Sequence, residues 1–135
     1  MSKNLGKDYS ASQERDIARL LGGRVQPNSG GTRFGGGDVL TKDFFIEAKT
    51  PTKPQTSFSI KKEWIEKMRE QTFEQGKHQC ALAFRFDPEG EDYFVINSRL
   101  MKLLVEYFEK VLIMTTTIGG WKSPKKLDIK NMLNH

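Results

Sequence analysis

Cysteine and histidine are scarce in this chain of 135 residues, which contains one cysteine and two histidines. A single cysteine cannot form a disulfide within the chain, and no cluster of cysteine and histidine has the spacing of a zinc site. Cys80 lies in the apolar run QCALAF, where core packing is its expected role. The sequence therefore indicates a fold held by its hydrophobic core, which a chain of this length can bury.

Long apolar runs are also absent. No segment has the composition of a membrane span, and the N-terminal residues lack the pattern of a signal peptide. We therefore expect an intracellular, cytoplasmic protein. The formal net charge is +5, and a mildly basic small domain favours an anionic partner, most commonly nucleic acid. A soluble protein that is basic for no functional reason is the alternative.

A glycine-rich segment, NSGGTRFGGG at 28–37, has five glycines in ten residues. Its glycine density resembles a dinucleotide-binding motif, but no helical pattern follows it directly, and it lacks the Lys-Ser/Thr ending of a P-loop. It has no apolar period. The segment therefore predicts a mobile loop instead of a nucleotide cradle.

Hydrophobic periodicity predicts one domain spanning 1–135, with residues 1–9 and about 118–135 flexible. Helices are predicted at three places: about 11–21, within 59–76, and at 98–110. Strands are predicted at 24–27, twice within 38–49, at 78–86 and at 92–97, and VLIMTTT at 111–117 is compatible with a last strand. Ser10 and Gln13 fit a capping box for the first helix. This order implies an α/β fold with a central mixed sheet flanked by helices.

The stretch DVLTKDFFIEAK places three charged residues within a predicted hairpin. If Lys42 and Asp43 form the turn, Asp38 lies opposite Glu47 on the same face, with Cβ atoms about 4.5–5.5 Å apart. Lys49, two residues beyond Glu47, shares that face. Apolar residues point the other way, into the core: Val39, Phe44, Ile46 and Ala48.

Two carboxylates this close repel each other unless a cation or a proton lies between them. Hard oxygen ligands suit Mg²⁺ or Mn²⁺. Two alternatives stay open. The first is a different register: Lys-Asp is not a favoured hairpin turn, and a slip of one residue would turn Asp38 away from Glu47. The second is an ordinary solvated strand face that carries these charges.

A third carboxylate comes from the first helix. Glu14 lies three residues before Ile17 and seven before Leu21, so it extends the stripe that faces the core. A first-turn glutamate favoured by the helix dipole is the plain explanation. Combined with Asp38 and Glu47, Glu14 makes a metal site the favoured interpretation.

The ordered set Glu14-Arg15, Asp38 and Glu47-Ala48-Lys49 resembles the motif of the PD-(D/E)XK nuclease superfamily. Within it, residues 10–97 are most similar to Holliday junction resolvases of the archaeal and phage type. The sequence departs from the family pattern in three ways: Gly37 replaces the proline common before the aspartate, the loop is richer in glycine, and the last 25 residues have no counterpart. The resemblance implies a restriction-endonuclease-like fold.

The resemblance also implies a Mg²⁺-dependent endodeoxyribonuclease, with Mn²⁺ as a substitute. It would be a homodimer that resolves four-way DNA junctions by paired nicks, leaving 5′-phosphate and 3′-hydroxyl ends. Asp38, Glu47 and the backbone carbonyl of Ala48 would hold the metal, and Glu14 would bind a second metal or its water. Lys49 would orient or deprotonate the attacking water, or steady charge on the phosphate.

Contacts to branched double-stranded DNA are predicted for six polar or basic residues: Arg15, Arg24, Ser29, Arg33, Lys53 and Lys61. Such contacts read the phosphate backbone, so binding should depend on DNA structure and weaken with salt. For any single lysine, a solvated surface charge is the plain alternative. Trp64 is predicted as core or dimer interface, and its helix as the better interface candidate. The protein would act on nucleoid or phage DNA. There are two alternatives to a junction resolvase: a nuclease that acts on flap, branched or linear DNA, and a non-catalytic DNA-binding module.

Overall fold

The computed structural model describes residues 5–26 and 37–117. The helices are α1 (Leu5–Leu21), α2 (Lys62–Glu74) and α3 (Ser98–Thr117). The strands are β1 (Arg24–Val25), β2 (Gly37–Leu40), β3 (Phe44–Lys49), β4 (Gln79–Phe84) and β5 (Tyr93–Val95). The chain groups into two compact units, the first ending at Asn97 and the second beginning at Ser98 with α3. The predicted flexible tail at 118–135 and all of the predicted loop except Gly37 lie outside the described residues.

The first unit is built on a single sheet with the strand order β1-β2-β3-β4-β5. Strands β3 and β4 are parallel, whereas the other neighbours are antiparallel. A parallel pair needs a crossover connection, and α2 lies in the segment that supplies it. The predicted α/β class with a central mixed sheet and flanking helices is confirmed.

Successive side chains on a strand point to opposite faces of the sheet, and apolar clusters cover both faces. On one face Ile17 of α1 packs in a cluster with Val39, Ile46, Ala48, Ala81 and Ala83. On the other, Met68 of α2 packs with Leu40, Phe45 and Leu82. The sequence assigned the apolar residues of the hairpin to the face opposite Asp38. That assignment is incomplete, since alternation puts Leu40 and Phe45 on the same face as Asp38 and Glu47.

Helix α1 begins at Leu5 and not at residue 11, so the predicted capping box is wrong. Ser10 lies inside the helix, where its hydroxyl donates to Glu14 Oε1 at 3.2 Å. The end of the helix is as predicted: Gly22 has a φ of 69°, and Gly23 N–H donates to the Ala18 carbonyl at 2.8 Å. Gly76, with a φ of 68°, follows α2 in the same way.

Gly23 allows the end of α1 to approach β2 closely. A Cβ atom at this position would lie 2.6 Å from the Leu40 carbonyl oxygen and 3.1 Å from Thr41 Cγ2. Because a backbone oxygen cannot rotate away, Gly23→Ala is expected to cost about 1–3 kcal/mol in the free energy of unfolding, measured in urea. The exposed Gln75→Ala is the control and should change it by less than about 0.5 kcal/mol. A Gly23→Ala protein as stable as the wild type would contradict this close packing.

Residues 111–117 are helical and continue α3, so the prediction of a last strand is wrong. A short apolar run cannot be assigned to strand or helix from periodicity alone. No helix breaker separates the run from the preceding helix, and extending an existing helix is easier than nucleating a new element. Within residues 5–26 and 37–117, no helix combines the length and hydropathy needed to cross a membrane.

Candidate active site

The β2–β3 hairpin has the register that the sequence predicted. Asp38 pairs with Glu47 across the two strands. Thr41 N–H donates to the Phe44 carbonyl at 3.0 Å, and Thr41 Oγ1 accepts from Phe44 N–H at 3.0 Å. These bonds close the two-residue turn, so Asp38, Glu47 and Lys49 share one face of the sheet as expected.

The unfavourable Lys-Asp turn is held from outside the hairpin. The Asp43 carbonyl accepts backbone N–H groups from His78 at 2.9 Å and from Gln79 at 3.0 Å. The Asp43 carboxylate also lies 3.1 Å from His78 Nδ1, and Lys77 Nζ donates to the Lys42 carbonyl at 3.2 Å. These contacts stabilise a turn that its own Lys-Asp sequence does not favour.

Glu47 has one paired oxygen and one unpaired oxygen. Its Oε1 lies 3.2 Å from Lys49 Nζ, and only 11% of the Glu47 side chain is exposed. Its Oε2 is buried and has no hydrogen-bond partner among the described residues. A buried carboxylate oxygen without a partner is costly, so a cation or a polar ligand at this point would stabilise the site.

Asp38 is the most perturbed acid of the site. Burial, followed by the charges of Glu47 and Glu14, raises its pKa to about 7, with Lys49 and Lys67 opposing the shift. Burial also raises the pKa of Glu14, against a hydrogen bond from Ser10 and the charge of Arg15. The structure thus places Glu14 within electrostatic range of Asp38, although α1 packs on the opposite face of the sheet. Mutual repulsion of this kind is relieved by a bound cation.

The two carboxylates fit a magnesium ion whose remaining ligands are water and substrate oxygens. Among residues 5–26 and 37–117, no group of three or more histidine, cysteine, aspartate or glutamate side chains is arranged so that it could hold a metal ion. Mg²⁺ usually takes only one or two protein carboxylates and completes its shell with water and phosphate oxygens. Asp38 and the unpaired oxygen of Glu47 match that requirement. Ala48 is fully buried between Gly37 and Ala83, and the ligand role of its carbonyl stays a prediction.

Asp38 should make the stability of the metal-free protein fall with rising pH. Its folded-state pKa of about 7 exceeds the ordinary value of 3.8, so the folded state binds more protons between these values. The resulting stability is fully present below about pH 4 and is lost as pH rises through about 7. Urea unfolding in EDTA should show this fall for the wild type and a flatter profile for Asp38→Asn. Parallel profiles for the two proteins would contradict the shift.

The predicted DNA-binding residues have different outcomes. Ser29 and Arg33 lie outside the described residues. Four side chains are exposed: Arg15, Arg24, Lys53 and Lys61. Arg24, on β1, pairs with Leu40 of β2, which is two residues along that strand from Asp38. Lys61 Nζ lies 5.5 Å from the ring centroid of Trp64. Exposure is what a phosphate contact requires, and DNA binding by these residues stays a prediction.

Sequence reasoning missed a buried polar network beside the site. Gln13 is fully buried; its Oε1 accepts from the Thr50 hydroxyl, and its Nε2 donates to Asp92 Oδ1 at 2.9 Å. The partners are 37 and 79 residues away in the chain. Gln13 precedes Glu14 and Thr50 follows Lys49, so the network fixes α1 against the end of β3. A glutamine four residues before Ile17, on the core stripe, was the available signal.

Arg85, the residue that follows β4, extends this network. Its Nε donates to Asp92 Oδ1 at 2.9 Å, and one terminal nitrogen donates to Asp92 Oδ2 at 2.8 Å and to Asp16 Oδ2 at 3.0 Å. The other terminal nitrogen donates to the Pro88 carbonyl at 3.2 Å. Only 3% of the Arg85 side chain and 9% of the Asp92 side chain are exposed. The charged pair is therefore buried and bidentate.

Comparisons of the chain with protein-family models, with curated proteins and with solved structures found no match. The class of the site therefore rests on its own geometry. The site consists of two facing carboxylates on a mixed β-sheet, a lysine on the same face and a third carboxylate nearby.

Proposed function

We propose that the protein is a metal-dependent endodeoxyribonuclease with a restriction-endonuclease-like fold, of the PD-(D/E)XK type. One observation carries the proposal. Asp38 pairs with Glu47 across a hairpin, Lys49 lies 3.2 Å from Glu47, and the other Glu47 oxygen is buried without a partner among the described residues. Paired carboxylates beside a lysine suit phosphodiester hydrolysis, which depends mainly on positioning and electrostatics.

The residues divide the proposed task between them. Asp38 and Glu47 would hold Mg²⁺ together with the Ala48 carbonyl, and Glu14 adds negative charge close to Asp38. Bound Mg²⁺ supplies activation of water and stabilisation of the leaving oxygen. Lys49, whose Nζ atom is 3.2 Å from Glu47 Oε1, would orient the attacking water or offset charge on the phosphate. Mn²⁺, which prefers similar ligands, should substitute.

The proposed substrate is branched DNA, with the four-way junction preferred. Support comes from the net charge of +5 and from the exposed side chains of Arg15, Arg24, Lys53 and Lys61. Charged contacts of this kind bind phosphates without reading bases. Selection of DNA by its shape is therefore the expected behaviour.

A panel of labelled DNA substrates tests this function: four-way, three-way, flap, duplex and single-stranded DNA, each incubated with Mg²⁺. We expect paired, symmetric nicks in the four-way junction, with 5′-phosphate ends, and binding that weakens steeply between about 50 and 200 mM salt. Preferred cleavage of flap or linear DNA would assign another endonuclease of the same superfamily. No cleavage of any substrate in Mg²⁺ or Mn²⁺ would leave a DNA-binding module and sink the enzyme assignment.

A homodimer is proposed as the active form, because two opposed sites are needed to nick two strands of one junction. Helix α2 is the proposed interface, and its Phe73 side chain is 87% exposed. Exposed aromatic side chains are common at the centres of protein interfaces. Sedimentation equilibrium of the wild type and of Phe73→Ser should give a dimer and a weakened dimer; a wild-type monomer bound to DNA would contradict the proposal.

A further inference from the structure

Trp64 contacts the lysine of the proposed site. The Nζ atom of Lys49 lies 4.4 Å from the centroid of the Trp64 ring and 3.2 Å from Glu47 Oε1. Only 15% of the Lys49 side chain is exposed. The ammonium group is thus held by two different contacts, one with a carboxylate and one with the face of an aromatic ring.

The Trp64 ring is itself fixed by its surroundings. It packs against the α2-side cluster of Leu40, Phe45, Met68 and Leu82, and the Phe58 ring lies 6.2 Å away at a tilt of 50°. Packing of this kind limits the orientations open to the partly buried ring. Its face is therefore presented to Lys49 before any ligand arrives.

We infer that Trp64 is a positioning residue for Lys49, holding its ammonium group beside the acidic pair through cation–π attraction as well as packing. The inference rests on the proposed function. A lysine side chain is long and flexible, so its position needs a second contact. Tryptophan provides the strongest cation–π partner among the aromatic residues.

The chemical nature of the ring makes this contact suited to the site. A carboxylate in place of Trp64 would also attract Lys49, but it would compete for Mg²⁺ and repel a phosphate. An uncharged ring does neither. When a cation engages Glu47 and weakens its attraction for Lys49, the ring still retains the ammonium group.

A double-mutant cycle on unfolding, in EDTA, tests the contact without any cleavage assay. The variants are Trp64→Leu, Lys49→Met and their combination, with Trp64→Phe as a milder change that keeps an aromatic face. Trp64→Leu should change the unfolding equilibrium constant about three- to thirtyfold more in the presence of Lys49 than in its absence. Equal changes in both backgrounds would overturn the inferred contact, whether or not the protein is a nuclease.

Single-turnover and steady-state cleavage of the four-way junction then test the positioning role. We expect kcat to fall about threefold in Trp64→Phe and about tenfold in Trp64→Leu, with a smaller change in KM, because a misplaced Lys49 affects the reacting state more than binding. Tyr107→Leu removes an exposed aromatic ring from α3, to which no part of the proposed site belongs, and should leave kcat unchanged.

The two backgrounds distinguish positioning from general packing. In Lys49→Met, adding Trp64→Leu should lower kcat no further. An equal further loss in that background would show that Trp64 acts through packing and would overturn the inference. Absence of cleavage by the wild type would instead remove the nuclease assignment, and the unfolding cycle would still decide the contact.

Discussion

Asp38→Asn and Glu47→Gln are each expected to lower Mg²⁺-dependent cleavage of a four-way junction by at least about a hundredfold. Each change nearly keeps the shape of the side chain but removes the negative oxygen that would hold the metal. Losing one preorganised charged group at a reaction centre commonly costs about two to three orders of magnitude in kcat. Single-turnover cleavage with enzyme in excess measures the effect on the reaction apart from product release.

Binding in EDTA separates loss of chemistry from loss of DNA affinity. Removing a negative charge reduces repulsion of the phosphate backbone, so both variants should bind the junction at least as tightly as the wild type. Glu89→Gln, an exposed carboxylate in the turn between β4 and β5, is the matched control and should cleave normally. Undiminished cleavage by both Asp38→Asn and Glu47→Gln would place the active site elsewhere.

Arg85→Met is expected to cause the largest loss of stability, about 3–5 kcal/mol in the free energy of unfolding. Arg85 is almost fully buried and makes four hydrogen bonds, to Asp92, Asp16 and the Pro88 carbonyl. Removing it leaves the Asp92 carboxylate buried with the Gln13 amide as its remaining bond from this network. Breaking one side of a buried ion pair costs much more than the pair contributes. Urea denaturation of the two proteins measures the difference.

Two further variants make the Arg85 result specific. Asp16 is 49% exposed and accepts one of the bonds, so Asp16→Asn should cost less than about 1 kcal/mol. Arg85→Met combined with Asp92→Asn should recover part of the lost stability, since no buried charge is then left unpaired and the side-chain oxygen at position 92 can still accept from the Gln13 amide. An Arg85→Met protein with wild-type stability would contradict the role assigned to the buried pair.

The sequence by itself determined the features that depend on local geometry. Alternation along a strand, joined to a two-residue turn, placed Asp38 opposite Glu47 and put Lys49 on the same face. The predicted ends of α1 and α2 coincide with Gly22 and Gly76, which follow apolar helical stripes and have positive φ. These features follow from backbone periodicity and from the left-handed conformations that glycine adopts readily, so a short window of residues contains the whole signal.

The tertiary structure alone decided the features that depend on contacts between residues distant in the sequence. The Lys-Asp turn forms because His78 and Gln79 donate to Asp43, and Gln13 is a buried linker instead of a cap because Thr50 and Asp92 meet it. No local pattern encodes such pairs, since they are distant in sequence and become neighbours only when the sheet assembles. The raised pKa of Asp38 and the Trp64 ring over Lys49 have the same origin. Burial and proximity are properties of the packed core, which brings together residues that the sequence lists far apart.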